Sequence, residues 1–263
     1  MEHVLGGDWL ISSAGGTSGE AYLAQNEKEK LFLKRNSSPF IAVLSAEGIV
    51  PKLVWTKRLE NGDVITAQKW LDGRTLTRHE MSNEKVAKLI SKIHHSPEIL
   101  HLFIRMGKKP KEPSHILIQI INKYRKYEWY NNDILTKSIE YLSRKIRLIE
   151  NSEKVVCHSD LSHENCLITD DNHLYLVDWD QALIADPALD LSMILYQYIP
   201  RNDWEEWLKI YGIDLSNNLI NRLNWYIVAQ SINFYIWHYE RREYEKSKEW
   251  TEFLSQYRFI ISK

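Results

Sequence analysis

Two polar segments constrain this chain more than any other feature of its 263 residues, because each follows a short apolar run. His158–Asn165 follows Val155–Cys157, and Asp178–Asp180 follows Leu174–Val177. Short apolar runs bounded by polar residues predict buried strands, and Cys166–Ile168 with Leu174–Val177 predicts a hairpin. Since a hairpin brings the chain back to its starting point, we expect the two polar segments to meet.

Three residues of these segments, Asp160, Asn165 and Asp178, carry the oxygen atoms that phosphoryl transfer requires. Transfer from a nucleotide needs Mg²⁺ held by hard oxygen ligands, and a carboxylate that orients or deprotonates the acceptor hydroxyl. We therefore predict that Asp160 orients the acceptor and takes up its proton late, and that Asn165 and Asp178 bind Mg²⁺. His158 is assigned to the geometry of the catalytic loop, and Asp180 to metal, to substrate or to capping the next turn.

The spacing His158-x-Asp160-x-x-x-x-Asn165, followed by Val177-Asp178-Trp179-Asp180, resembles the catalytic loop and metal-binding segment of the aminoglycoside phosphotransferase and choline kinase family. These proteins are relatives of protein kinases. The whole chain resembles the YtmP-like branch of that family, which includes a bacterial cell-cycle regulator. The resemblance implies ATP and Mg²⁺ as cofactors and phosphorylation of a hydroxyl group on a small molecule.

The resemblance also implies an α+β fold with two lobes, like that of protein kinases. We expect a small antiparallel β lobe that binds the nucleotide at residues 1–71. A mostly helical large lobe with the catalytic loop and the acceptor site follows at residues 72–263. In the large lobe, Ala185–Leu191 also matches the family, and the resemblance implies that Asp190 braces the catalytic loop by hydrogen bonding its backbone or His158.

A loop of small residues, Gly15-Gly16-Thr17-Ser18-Gly19, lies between two predicted strands near the start of the chain. Glycines let the backbone approach a phosphate closely and point N–H groups at it. The loop is not a P-loop, because no Gly-Lys-Ser/Thr follows the glycines. With the downstream motif we interpret it as a phosphate-binding loop, and the alternative is an ordinary turn.

Other nucleotide contacts are expected on two further strands. The resemblance places Lys34, at the end of Leu31–Arg35, on the nucleotide phosphates, and the alternative is a solvated charge. Protein kinases pair this lysine with a glutamate, for which the next segment offers Glu47. Backbone groups at Lys69, Trp70 and Leu71, where another strand runs into the interlobe hinge, are expected to bind the adenine edge.

The acceptor site is expected between the catalytic loop and the C-terminal helices. Candidate contacts are His163, Asp180 and the aromatic residues Trp225 and Tyr235. The aromatic rings could stack on a sugar or nucleoside, or surround a quaternary ammonium group. They could equally belong to the core. The cell-cycle branch favours a ribose-like or nucleoside-like acceptor.

A second hypothesis from the same resemblance is a kinase-shaped scaffold that binds division or replication proteins, such as the division protein FtsZ. It can coexist with catalysis. In that case the protein would reach the division site through its partner.

The sequence offers two other candidate metal sites. The first is a zinc site, because zinc can be bound by the side chains of Cys157, His158, Asp160, His163 and Cys166. Alternation along a strand argues against it, because the adjacent residues Cys157 and His158 face opposite ways. The tandem His94-His95 closes a predicted helix that Ser82 is expected to cap. No cysteine or carboxylate accompanies the tandem at ligand spacing, so a role at the helix end is expected.

Composition sets limits on location and partners. A formal charge of -1, from 34 basic and 35 acidic residues, argues against a general electrostatic binder of nucleic acid and leaves a local basic patch as the alternative. Two cysteines do not make a disulfide scaffold, so we expect reduced thiols and a cytoplasmic protein. The start lacks a signal-peptide pattern, and no stretch reaches the roughly 18 apolar residues that span a bilayer.

Overall fold

A computed structural model describes residues 5, 8–14, 21–37, 40–149 and 152–257. The chain forms two compact units. The first unit contains Met1–Glu80, Ser96–Leu102 and Ser162–Gln181, and the second contains Met81–His95, Phe103–Leu161 and Ala182–Lys263.

The first unit is built on a five-stranded antiparallel sheet with the strand order β1-β2-β3-β5-β4. Its strands are β1 (Leu10–Ser13), β2 (Ala21–Gln25), β3 (Lys30–Arg35), β4 (Leu53–Arg58) and β5 (Val64–Lys69). The short helix α1 (Ile41–Ala46) lies between β3 and β4 in the chain. The predicted strands on either side of the glycine-rich loop and around Lys34 are therefore present.

Side chains alternate along the central strands β3 and β5. One face forms a core cluster of buried residues: Ala24, Leu31, Leu33, Ile65 and Ala67. The residues between them face the other way, and the register sets Phe32 opposite Gln68 and Lys34 opposite Thr66. The sheet thus separates its apolar core from a face that carries polar side chains.

A second antiparallel sheet of the first unit has the order β6-β8-β9. Its strands are β6 (Gly73–Thr75), β8 (Cys166–Thr169) and β9 (Leu174–Leu176). The predicted hairpin is confirmed, since Cys166 pairs with Leu176 and Ile168 with Leu174. The backbone N–H of Val177 donates to Asn165 O at 2.9 Å, which joins the two ends of the hairpin.

The second unit is mostly helical. Its helices are α2 (Glu84–His94), α4 (Pro113–Lys126), α5 (Asp133–Lys145), α6 (Ala188–Tyr198), α7 (Trp204–Tyr211), α8 (Asn217–Glu240) and α9 (Tyr244–Gln256). Helix α3 (Pro97–Arg105) begins in the first unit, and β7 (Val155–Cys157) pairs antiparallel with β10 (Leu183–Ala185). The described chain has no helix that combines the length and the apolar character needed to cross a bilayer.

One detail of the helices, the N-cap of α2, differs from the sequence-based expectation. Helix α2 is capped by Asn83, whose Oδ1 accepts from the N–H of Lys85 at 2.9 Å, whereas Ser82 ends a short 3-10 turn. Asn and Ser both favour this position, so residue type alone did not distinguish them. Trp225 of α8 is fully buried, and its indole N–H donates to Leu142 O at 3.0 Å.

Gly73 provides a test of the β6–β8 pairing. A Cβ atom at this position would lie 2.5 Å from the backbone oxygen of Ile168. Gly73→Ala should therefore lower the free energy of unfolding by about 1–3 kcal/mol, because the two backbones must separate. Chemical denaturation measures this, with the exposed Thr75→Ala on the same strand as a control expected to change it by less than about 0.5 kcal/mol. Equal stability of the two variants would contradict the close packing.

Candidate active site

A cavity of about 570 Å³ lies within the first unit. It collects seven of the residues that the sequence singled out: Lys34, Lys69, Trp70, Leu71, Asn165, Asp178 and Asp180. The loop Gly15-Gly16-Thr17-Ser18-Gly19 lies outside the described residues, whereas Ala14 and Ala21 on either side of it line the cavity. His163 lies in a 3-10 turn, His163–Asn165, and is not among the lining residues.

Lys34 bridges two carboxylates in this cavity. Its Nζ lies 3.2 Å from Asp178 Oδ1 and 2.8 Å from Asp180 Oδ2. Burial alone would lower the pKa of Lys34, but hydrogen bonds and charge attraction from Asp180 and Asp178 outweigh it, and the pKa is raised. The lysine side chain is 19% exposed and the two aspartates are 52% and 53% exposed. Lys34 is therefore a positioned cation beside two acidic groups that solvent can reach.

The acidic partners of Lys34 come from the segment after β9. In the described chain its Nζ pairs with Asp178 and Asp180, and Glu47 instead occupies the C-terminal cap of α1. Lys34 thus forms a lysine–aspartate cluster with Asp178 and Asp180.

The backbone of Asp178 adopts a left-handed conformation, with φ at +61°. This conformation costs an L-residue roughly 1–2 kcal/mol, and aspartate tolerates it better than most residues do. The turn is anchored by Trp179, whose indole N–H donates to Leu176 O at 2.8 Å. A tight, tethered turn explains how both Asp178 and Asp180 reach one lysine.

Most backbone N–H groups at the end of β5 already donate hydrogen bonds within the protein. The N–H of Lys69 donates to Lys52 O at 2.8 Å, and the N–H of Trp70 donates to Lys30 O at 3.1 Å. Within the described residues, the N–H of Leu71 has no hydrogen-bond partner. Of the three residues predicted to bind a nucleobase, Leu71 is therefore the one with a backbone donor left for a ligand.

The predicted catalytic loop begins in the second unit, where Asp190 of α6 binds its first residues. The carboxylate of Asp190 accepts from the backbone N–H of His158 at 2.7 Å and from that of Ser159 at 2.8 Å. Ser159 has a left-handed φ of +64°, and the His158 ring is fully buried. Asp190 thus fixes the two residues before Asp160, as the family resemblance implied.

His94 also contributes to this support, which spacing did not reveal. Its Nε2 lies 3.1 Å from Asp190 Oδ2, and its Nδ1 lies 2.8 Å from the hydroxyl of Tyr211. The sequence places no carboxylate or cysteine at ligand spacing from this histidine, but in the structure ligand atoms of Asp190 and Cys157 lie within 4.8 Å of it. The contacts join residues 94, 157 and 190, which are far apart in sequence.

The side chains of His94, Cys157 and Asp190 all make hydrogen bonds, either to one another or to the protein backbone. The thiol of Cys157 donates to Asp186 O at 3.4 Å, and burial raises its pKa well above the ordinary value. Burial also raises the pKa of Cys166 to about 12.

A buried ion pair fixes the start of α6. Arg222 Nε donates to Asp186 Oδ2 at 2.8 Å, a second guanidinium nitrogen donates to Oδ1, and the N–H of Ala188 donates to Oδ1 at 2.8 Å. Neither Asp186 nor Arg222 was singled out from the sequence. A bidentate pair of this kind orients the helix that presents Asp190.

The aromatic candidates lie in packed surroundings. Trp225 belongs to the core, which is one of the two alternatives left open by the sequence. Tyr235 is nearly buried, and its ring lies 4.9 Å from that of Trp129 and 6.1 Å from that of Tyr239. This cluster lies at the C-terminal part of α8, and its members Trp129 and Tyr239 were not predicted.

Asp190→Asn tests the support of the catalytic loop. The substitution replaces a carboxylate oxygen by an NH₂ group that would face a backbone N–H, so one buried donor loses its acceptor. We expect the free energy of unfolding to fall by about 3 kcal/mol. The exposed Asp203→Asn is the matched control and should change it by less than about 0.5 kcal/mol. Denaturant unfolding that cannot separate the two variants would remove this role from Asp190.

Solved structures with the same fold cover almost the whole chain. The choline kinase LicA from Streptococcus pneumoniae superposes with a TM-score of 0.68 at 18% identity, covering 97% of this chain and 96% of that one. The GDP and kanamycin complex of APH(2")-IIia gives 0.74 at 13% identity, covering 97% and 95%. A Plasmodium vivax ethanolamine kinase gives 0.64 at 17% identity, covering 95% and 81%. The predicted two-lobe, kinase-like α+β fold is confirmed.

The sequence itself matches a family profile described as "Phosphotransferase enzyme family" over residues 11–226, which is well over half of the chain. The match includes strands β2 to β10, the cavity residues and the catalytic loop described above. It confirms the prediction of an enzyme, a phosphotransferase of the small-molecule kinase class with a hydroxyl group as acceptor. The chain belongs to the phosphotransferase enzyme family.

Proposed function

We propose that this enzyme transfers the terminal phosphoryl group of ATP, with Mg²⁺, to a hydroxyl group of a small sugar-like or nucleoside-like molecule. The observation that carries the proposal is the cluster of Lys34, Asp178 and Asp180 in one cavity, with Asn165 in the same wall. A cation beside oxygen ligands of opposite charge is the arrangement that binds a metal–nucleotide complex. We propose residues 1–71 as the nucleotide-binding lobe and residues 72–263 as the lobe with the acceptor site.

The nucleotide would lie along the cavity. In this proposal Lys34 contacts the phosphates, and the backbone at Lys69–Leu71 binds the base through the N–H of Leu71. Val50, Leu167 and Val177 add apolar wall to the same cavity, which suits a planar base. The glycine-rich loop Gly15–Gly19 is proposed to cover the phosphates.

The residues present fit a magnesium ion. Asn165 offers an amide oxygen and Asp178 a carboxylate, and both line the cavity. These are the hard oxygen donors that Mg²⁺ takes in proteins, usually together with phosphate oxygens. When bound, the ion would neutralise charge on the phosphate oxygens. Asp180 shares Lys34 with Asp178 and is proposed as a further contact to metal or substrate.

Asp160 is proposed to orient the acceptor hydroxyl and receive its proton, and His158 to maintain the loop. Support comes from the two hydrogen bonds by which Asp190 holds His158 and Ser159. Fixed positioning is the main requirement for phosphoryl transfer, because its transition state is loose. His163 and Tyr235 remain candidate contacts to the acceptor, whereas Trp225 packs in the core.

A second candidate function is regulation through protein binding. The whole sequence resembles the YtmP-like branch and its cell-cycle regulator CcrZ. On that resemblance we propose a division-protein partner such as FtsZ and a location in the cytoplasm, at the division site. Choline or an aminoglycoside is the alternative acceptor, which LicA and the kanamycin complex exemplify in the family.

An ATP-consumption screen across sugars, nucleosides, choline and aminoglycosides tests the catalytic proposal. We expect turnover with at least one sugar-like or nucleoside-like acceptor. Asp160→Ala should reduce that turnover by ~100-fold or more, because general base assistance and positioning are lost. The exposed hairpin residue Asp170 supplies the control Asp170→Ala, which should keep full turnover. Full activity of a folded Asp160→Ala protein would exclude the assigned role, and silence across the panel would favour the regulator.

Asp178→Ala tests the metal assignment by calorimetry. The variant removes the carboxylate of the proposed metal pair, so we expect the Mg²⁺-dependent part of ATP binding to be lost. The same Asp170→Ala control should bind Mg·ATP like the wild type. Unchanged Mg·ATP affinity in the Asp178→Ala protein would assign the metal to other residues.

A further inference from the structure

We propose that Gln68 selects nucleotides with a 6-amino purine base, such as ATP, and discriminates against 6-oxo purines such as GTP. This inference rests on the proposed function and adds to it the residue that chooses the base. The fold alone does not make that choice, since one solved relative is an AMP complex and another a GDP complex.

Gln68 is built into the wall of the cavity. It is the penultimate residue of β5, lies opposite Phe32 of β3, and both side chains line the cavity. Its neighbour Ala67 points into the core cluster on the other face. Gln68 is only 8% exposed, so its side chain has little freedom to leave the wall.

One end of the Gln68 amide is fixed by the backbone. Its Nε2 donates to the carbonyl oxygen of Pro51 at 2.8 Å, in a buried hydrogen bond. A carbonyl oxygen can only accept, so the NH₂ end must face Pro51 and the identity of the two amide atoms is settled by chemistry. Across the described chain Oε1 has no hydrogen-bond partner, which leaves this acceptor for a ligand.

Turning the amide around would not provide a donor at low cost. The Pro51 oxygen would then face Oε1, and a buried acceptor would lose its donor. Gln68 therefore presents a fixed acceptor to the cavity, where most glutamines could present either group.

A fixed acceptor distinguishes the two common purines. The 6-amino group of adenine donates a hydrogen bond, whereas O6 of guanine only accepts. The N–H of Leu71, three residues further on, is a donor that suits the unprotonated N1 of adenine and opposes the N1–H of guanine. Gln68 Oε1 is thus an acceptor and the N–H of Leu71 is a donor, and both complement the edge of adenine.

Binding measurements on the wild-type protein test this without any substitution. The probes are the magnesium complexes of ATP, of GTP and of purine riboside triphosphate, which carries hydrogen at position 6. We expect ATP to bind about tenfold more tightly than the 6-hydrogen analogue, as one net hydrogen bond contributes. We expect GTP to bind more weakly than the analogue, because two acceptors would face each other.

A thermodynamic cycle that combines Gln68→Met with the 6-hydrogen analogue assigns the discrimination to this side chain. The variant keeps the length of the side chain and removes the acceptor, so ATP and the 6-hydrogen analogue should bind equally. Gln25→Met, on β2 of the same sheet and outside the cavity lining, should keep the wild-type ratio. Thermal unfolding of both variants verifies that they fold.

The possible outcomes separate the two levels of the proposal. Wild-type protein that binds GTP as tightly as ATP, or a Gln68→Met protein that keeps the wild-type ratio of ATP to analogue, would overturn the role of Gln68 alone. Failure of all three nucleotides to bind the wild type would overturn this inference together with the proposed function.

Discussion

The alternation of side chains along β3 and β5 is the constraint on which the cavity depends. Residues of one parity, such as Leu33 and Ala67, pack into the core of the first unit. Residues of the other parity, including Lys34 and Gln68, are thereby directed to the cavity. A slip of one residue in the pairing would exchange the two sets, so the same hydrophobic burial that stabilises the sheet also sets the register of the polar groups.

Local patterns were sufficient for the elements around the site. The hairpin of β8 and β9 follows from two apolar runs with turn residues between them, and it brings Asn165 and Val177 into hydrogen-bonding contact. The strand that carries Lys34 and the helices of the second unit follow from periodicity in the same way. These elements owe their form to residues close in sequence, which is the information that a single sequence displays.

Contacts between distant segments could not be obtained from spacing. His94 reaches Asp190, and Asp186 reaches Arg222, across many intervening residues. The pairing of Lys34 with Asp178 and Asp180 depends on a left-handed residue in a turn, and sequence patterns do not specify the direction of such a turn. No sequence pattern singled out Gln68, because its proposed role depends on its hydrogen bond to the backbone oxygen of Pro51.

The grip of Asp190 on two consecutive backbone N–H groups also affects how the catalytic loop moves. The amide protons of His158 and Ser159 can exchange with solvent only when α6 releases the loop. Their exchange rates therefore measure how often the start of the catalytic loop separates from α6. Slow exchange in the absence of ligands would mean that the chain before Asp160 is rigid in advance of binding, and that the energy of substrate binding is not spent on ordering it.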